Sequence, residues 1–490
     1  MPQHTLRTKR MGGVLLLIAA AFIGCESVTE TQQEIPDAET AQAELIEQSL
    51  THFDGKRYSD LPVVQHQTSL MNELADTYEG FAGIWLEPDD QEHFYISIAD
   101  KNEEISDRDA VINNLTSITR NRFSRTDLPD IPAPDYRFTI EEAVYTYKEL
   151  QYFRDLLTPM LHPREGILES YIDNKNNKFS IVTLENSVKT ELISLLSKYS
   201  IPEDAVDFIN VERTTQNTTA AAQKNNVSTN LQSNLSTVSI RSRYRPLTGG
   251  FQIKRPGSNE NCTLGFNVKL DGKEMWVTSS DCTDQPFVPG STELHQNVVD
   301  PFNFAGTEIR DPNGFMPFAE RYSAAALVET EFFGFEINFG KIARTQYFGS
   351  QWGDSGSIFL NSGIEPPFVD NPQYFEIISD GDPIVQGVPI HKVGRETGWT
   401  RGVVISPNSN LNRNISGTTI TIYSQISGTI YGINNGDRGA PVFRQVAQVP
   451  VVDLVGIFIH LDDVFQRTWY SPMIGIRKDL VNSGETMTTF

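Results

Sequence analysis

From about residue 240 to the C-terminus the chain is a succession of short β-runs punctuated by glycine, proline and asparagine, with no long helical periodicity until its end. A strand satisfies its backbone only through neighbouring strands. Many short strands in series therefore close on one another as a sandwich or barrel. Residues 66–213 follow a different pattern, in which paired strands alternate with helices. Between the two, residues 214–239 are dominated by Thr, Asn, Ser, Gln and Ala and read as a linker. The expected fold class is thus an α+β N-terminal module followed by an all-β domain spanning 240–490. A chain of 490 residues with 39% hydrophobic content has the length and apolar residues for two or three such bodies.

Within 66–213, Phe81 to Leu86 and Phe94 to Ala99 read as one hairpin, and Ile167 to Asp173 with Phe179 to Leu184 as another. Each leads towards a helix, near Asp107 to Ile118 and Ser187 to Lys198, and Val206 to Val211 closes the unit as a further strand. The strongest helical signal starts at Thr139. There Thr139-x-x-Glu142 has the form of a capping box, and Ile140, Ala143, Val144, Tyr147, Leu150, Phe153 and Leu157 make one apolar stripe before Pro159. The repeated hairpin-then-helix pattern resembles the pro-domains of alpha-lytic protease and the streptogrisins.

The all-β part carries more specific landmarks. Cys262-Thr-Leu-Gly-Phe-Asn-Val268 is followed by Trp276-Val-Thr-Ser-Ser-Asp-Cys-Thr283, then Arg321-Tyr-Ser-Ala-Ala-Ala-Leu-Val328, then His391-Lys-Val-Gly-Arg-Glu-Thr-Gly-Trp-Thr-Arg-Gly402, then Gly436-Asp-Arg-Gly-Ala-Pro-Val-Phe443 and Leu454-Val-Gly-Ile-Phe458. In this order they resemble the alpha-lytic/streptogrisin branch of chymotrypsin-like serine proteases, which implies a double β-barrel. The resemblance also marks three departures. Asp281 stands at the position of the catalytic histidine, Ala324 at that of the orienting aspartate, and Arg438 at that of the nucleophilic serine.

Catalysis on this fold needs imidazole to take the serine proton and a carboxylate to hold its tautomer. A guanidinium is a permanent donor and cannot attack a carbonyl. The expectation is therefore a pseudoprotease with no catalytic residues, whose cleft at Asp281, Arg438 and Gly436 is left to binding. Asp281 and Arg438 adjoin across that cleft and carry opposite charge. A charge-assisted pair is expected within about 6 Å, against the alternative that each points separately into water. A literal Gly353-Asp354-Ser355-Gly356 lies before the 391–402 landmark, whereas the family's nucleophile lies after it. The alternative reading is a serine hydrolase using Ser355, with His295 or His391 as base.

Arg7, Lys9 and Arg10 head an apolar run, Val14 to Ile23, too short to span a bilayer, which reads as an export signal. Phe22-Ile23-Gly24-Cys25 resembles a bacterial lipobox. It implies a lipid-modified Cys25 and a cell-envelope lipoprotein, in the outer membrane of a Gram-negative cell since Glu26 follows. Ordinary secretion is the alternative. Residues 26–65 read as a flexible tether. Outside the signal only Cys262 and Cys282 remain, and in an oxidising compartment they are expected to form a disulfide. No metal site or cofactor is expected. With 63 acidic against 40 basic residues and a net charge of −23, nucleic acid is not an expected partner. The expected partners are a peptide or protein in the cleft and the membrane at Cys25.

Overall fold

The computed structural model describes residues 38–99, 108–124, 134–211, 240–241, 243–258, 260–296, 303–312, 320–330, 337–344, 374–381, 384–430, 435–446, 451–462 and 465–489. Cys25, Ser355 and the linker 214–239 lie outside them. Residues 42–490 form one compact unit.

In the N-terminal part, β1 (Phe81–Glu87) pairs antiparallel with β2 (Asp90–Ile98), and β3 (Arg137–Glu142) runs parallel to β2. The second hairpin is β4 (Ile167–Asp173) with β5 (Lys178–Thr183), and β6 (Val206–Asn210) lies parallel to β5. Helices Arg108–Phe123 and Asn186–Lys198 follow the hairpins as expected.

The helix expected from Thr139 is a correction. Residues 137–142 form β3, in register with His93 to Ile98, and the helix runs Tyr147–Leu161. Two Thr-x-x-Glu frames lie seven residues apart, and the second one caps. Thr146 Oγ1 accepts from the Glu149 amide at 3.2 Å, and Glu149 Oε2 accepts from the Thr146 amide at 2.9 Å. The first frame is claimed by strand pairing, so Val144, placed on the apolar stripe by the sequence, is 61% exposed. Leu150, Leu156, Leu157 and Leu161 carry the buried face. Pro159 sits inside the helix rather than ending it.

The tether also needs correcting over its second half. Phe53, Tyr58, Leu61, Val63 and Val64 are buried with Tyr322 and Tyr423 in one aromatic and aliphatic cluster. The Tyr58 hydroxyl donates to Asn410 Oδ1 at 2.6 Å, fixing this segment to the all-β part.

The all-β expectation holds. Among the described residues one sheet has eight strands and carries the strand Lys273–Ser279, which leads to Asp281, beside Ala325–Glu329, which follows Ala324. The other carries Pro389–Gly394, Pro441–Gln445 and Val451–Asp462, with the Arg438 loop entering Pro441–Gln445. The first three sequence landmarks to 328 thus fall on one sheet and the later three on the other.

The second sheet does not stop at the all-β part. Its strand Gly398–Ile415 pairs with β4 through Ser409↔Tyr171, Asn410↔Ser170 and Leu411↔Glu169, so that β6, β5 and β4 extend it to twelve strands among the described residues. Leu168, Tyr171, Val182 and Val211 share a core cluster with Phe266, Val277, Leu411 and Ile457. The two parts read as separate bodies from composition are packed as one. Among the described residues no helix is long and apolar enough to cross a membrane.

Candidate functional site

The loop at 436–439 is held by a buried charge and by one glycine. Asp437 is fully buried and pairs with Lys392 Nζ at 2.8 Å. Its oxygens also accept from Thr397 Oγ1 at 2.6 Å and the Glu396 amide at 2.8 Å. A buried carboxylate persists when paired and hydrogen-bonded on this scale. Gly439 has φ +86°, and a Cβ there would fall 2.3 Å from Thr278 Oγ1 and 2.4 Å from the Thr263 carbonyl, so no other residue fits. The Thr263 amide donates to the Arg438 carbonyl at 2.8 Å, and Thr263 Oγ1 to the Gly436 carbonyl at 3.2 Å. This places the loop against Cys262, which is disulfide-bonded to Cys282 as expected, with 6.0 Å between the Cα atoms.

Cys282 in turn closes the 3-10 turn Ser280–Cys282 that presents Asp281. Asp281 Oδ2 lies 3.7 Å from Arg438 Nε, inside the expected range. A second guanidinium is closer still. Arg413 Nη2 donates to Oδ1 at 3.1 Å and to Oδ2 at 2.9 Å. Burial alone would push the Asp281 carboxyl up, but Arg413 and then Arg438 outweigh it and hold it below the ordinary carboxylate range.

Arg413 is the residue that reading the sequence missed. It sits 132 positions from Asp281 on the strand Gly398–Ile415, outside every landmark. Its signal is one of register: Leu411, Arg413 and Ile415 share one face of the strand, and the two flanking positions are buried in the core. A charge on a core-facing position calls for a buried partner.

Ala324 is fully buried. Its carbonyl accepts from the Ser280 amide at 2.8 Å, and its amide donates to Ser471 Oγ at 2.9 Å. The alanine backbone thus braces the turn that carries Asp281. The two histidines weighed as bases have partners of their own. His391 Nδ1 accepts from Trp399 Nε1 at 3.1 Å, and burial, with Arg401 adding to it, holds the ring down at about 3. His295 is buried edge-on to Phe304, with Nε2 3.8 Å from Glu293.

No family model matches the chain, and no curated protein matches it. Among solved structures it is similar to Nocardiopsis protease, at 15% identity over 50% of this chain and 99% of that one, with a TM-score of 0.33. Thermobifida fusca protease A shows 15% identity over the same shares with a TM-score of 0.30. The Cellulomonas bogoriensis chymotrypsin shows 16%, again over 50% and 99%, with a TM-score of 0.30.

Proposed function

We propose that this chain is an exported, lipid-anchored, catalytically inactive serine-protease homologue, in which the cleft region serves protein or peptide binding or holds the molecule together. The observation that carries the reading is the Asp281 carboxylate held by Arg413 and Arg438. A carboxylate held below its ordinary range by two guanidiniums is a poor base, and a guanidinium is not a nucleophile. The centre of the cleft is occupied by the protein's own ion pairs, which leaves peripheral surfaces for a ligand. Without a working triad the chain does not cut itself, and its N-terminal part stays on the same polypeptide. The anchor is the lipid on Cys25.

Incubation of the purified protein with a serine-reactive fluorophosphonate tests inactivity. No adduct is expected on folded protein, and an adduct on Ser355 would restore the hydrolase reading. A peptide-library pull-down separates binding from a purely structural role. Labelled palmitate incorporated into the wild type but not into Cys25→Ser checks the anchor, and absence of label from both means simple secretion.

A further inference from the structure

Two buried carboxylates lie on the strand Phe304–Arg310 and just past it. Glu308 and Asp311 are three residues apart, a spacing that places side chains on opposite faces of a regular strand. Here Glu308 is opposite Val328 and Arg310 opposite Leu327, so Ile309 is an extra residue and Glu308 and Asp311 return to one face. Glu308 is 1% exposed and Asp311 6%.

Each carboxylate uses one oxygen and leaves the other bare. Glu308 Oε1 accepts from the Gly290 amide at 3.1 Å. Asp311 Oδ2 accepts from Ser280 Oγ at 2.8 Å and Thr283 Oγ1 at 3.3 Å. Glu308 Oε2 and Asp311 Oδ1 are buried, and among the described residues no donor reaches either. A buried carboxylate oxygen without a donor is unfavourable unless a cation or a proton meets it.

The loop above favours the cation. At Gly290, the three heavy atoms nearest the point where a Cβ would stand, its chain neighbours aside, are oxygens: Glu308 Oε2 at 3.3 Å, Glu308 Oε1 at 3.6 Å and the Val288 carbonyl at 3.7 Å. Gly290 itself is exposed, which gives an entry from solvent. No third carboxylate, histidine or cysteine gathers there among the described residues. Carboxylate and carbonyl oxygens are hard donors, which suits calcium rather than zinc.

We infer that Glu308, Asp311 and the Val288 carbonyl form a calcium site beneath the loop 283–292. The site reaches the cleft through Ser280, whose hydroxyl bonds Asp311 and whose neighbour is Asp281. Bound calcium braces the turn that presents the carboxylate of the ion pair. No such site was expected from the sequence, because only the bulge brings the two acids to one face.

Calorimetric titration of chelator-treated full-length protein with calcium chloride at neutral pH is expected to give one saturable site, and thermal melts a Tm that rises with calcium. Glu308→Gln/Asp311→Asn abolishes both responses. Gly290→Ala keeps the carboxylates and fills the oxygen-lined point with a methyl group. It is expected to weaken binding at least tenfold, and it reads the site even where the double variant fails to fold. A wild type whose Tm ignores calcium, a double variant that still responds, or a Gly290→Ala protein with unchanged affinity overturns the proposal. So does a calcium-independent gain in stability on acidification that the double variant lacks, since a proton shared by the two acids would then fill the role.

Discussion

At the scale of single residues, Asp281 is the carboxylate shared by two guanidiniums, of which Arg413 makes the shorter contacts. Arg413 has a side chain only 10% exposed, so Asp281→Ala leaves its charge buried without that carboxylate. Breaking a buried pair from one side costs about 3–5 kcal/mol, and the denaturant midpoint should fall accordingly. Arg438→Ala is expected to cost less, because the two Arg413 contacts remain. A midpoint unmoved by Asp281→Ala would mean that the pairs contribute nothing. The acid limb of stability carries the same signature. The folded Asp281 carboxyl lies below its unfolded value of about 3.9, so its contribution is present above that pH and is lost as pH falls through the folded value. Asp281→Asn should flatten that limb. Asp281, Ala324 and Arg438 were legible in the sequence because short local motifs flank each of them. Arg413 was not, since its role comes from a strand register that folds it across 132 positions.

At the scale of elements, the β4 edge and the strand Gly398–Ile415 are joined by more than backbone pairing. His162 lies between them, with Nδ1 2.7 Å from Asn412 Oδ1 and Nε2 2.8 Å from Ser170 Oγ. Burial holds this histidine down at about 4, against the opposing pull of Asn412. The unfolded chain takes a proton near 6.5 and the native one does not until about 4. Stability should therefore rise with pH across that window, by about 1.4 kcal/mol per pH unit for this group. His391, held at about 3, adds a similar slope over a wider window. Urea midpoints at pH 5 and pH 7 should differ, and His162→Gln should reduce the difference. An unchanged slope would place the acid sensitivity elsewhere. The hairpins themselves were legible from alternation and turn residues, whereas β3 was not. Its residues fit a capped helix equally well until the parallel pairing with β2 selects the strand.

At the scale of the whole molecule, composition marks a boundary that packing does not respect. Residues 214–239 read as a linker, yet β4 and Gly398–Ile415 pair in one sheet from opposite sides of it. No local pattern announces a pairing of Glu169 with Leu411, because the partner is set by the fold. Across this junction Arg467 lies 3.2 Å from Glu169, both buried, and its guanidinium stands over the Tyr171 ring at 5.0 Å from the centroid. A shared sheet, a shared core and a buried ion pair join the two parts. A protease site engineered into 214–239 therefore allows the chain to be cut without separating it. The two pieces are expected to co-elute on size exclusion and to unfold in one thermal transition, because the covalent link adds only a loop-closure entropy to contacts already made. Arg467→Leu leaves Glu169 buried without its cation and should let the cut pieces separate at lower denaturant, while Glu169→Leu/Arg467→Leu recovers much of that loss. Fragments that part on cutting in native buffer would show that the linker, and not the sheet, holds the molecule together.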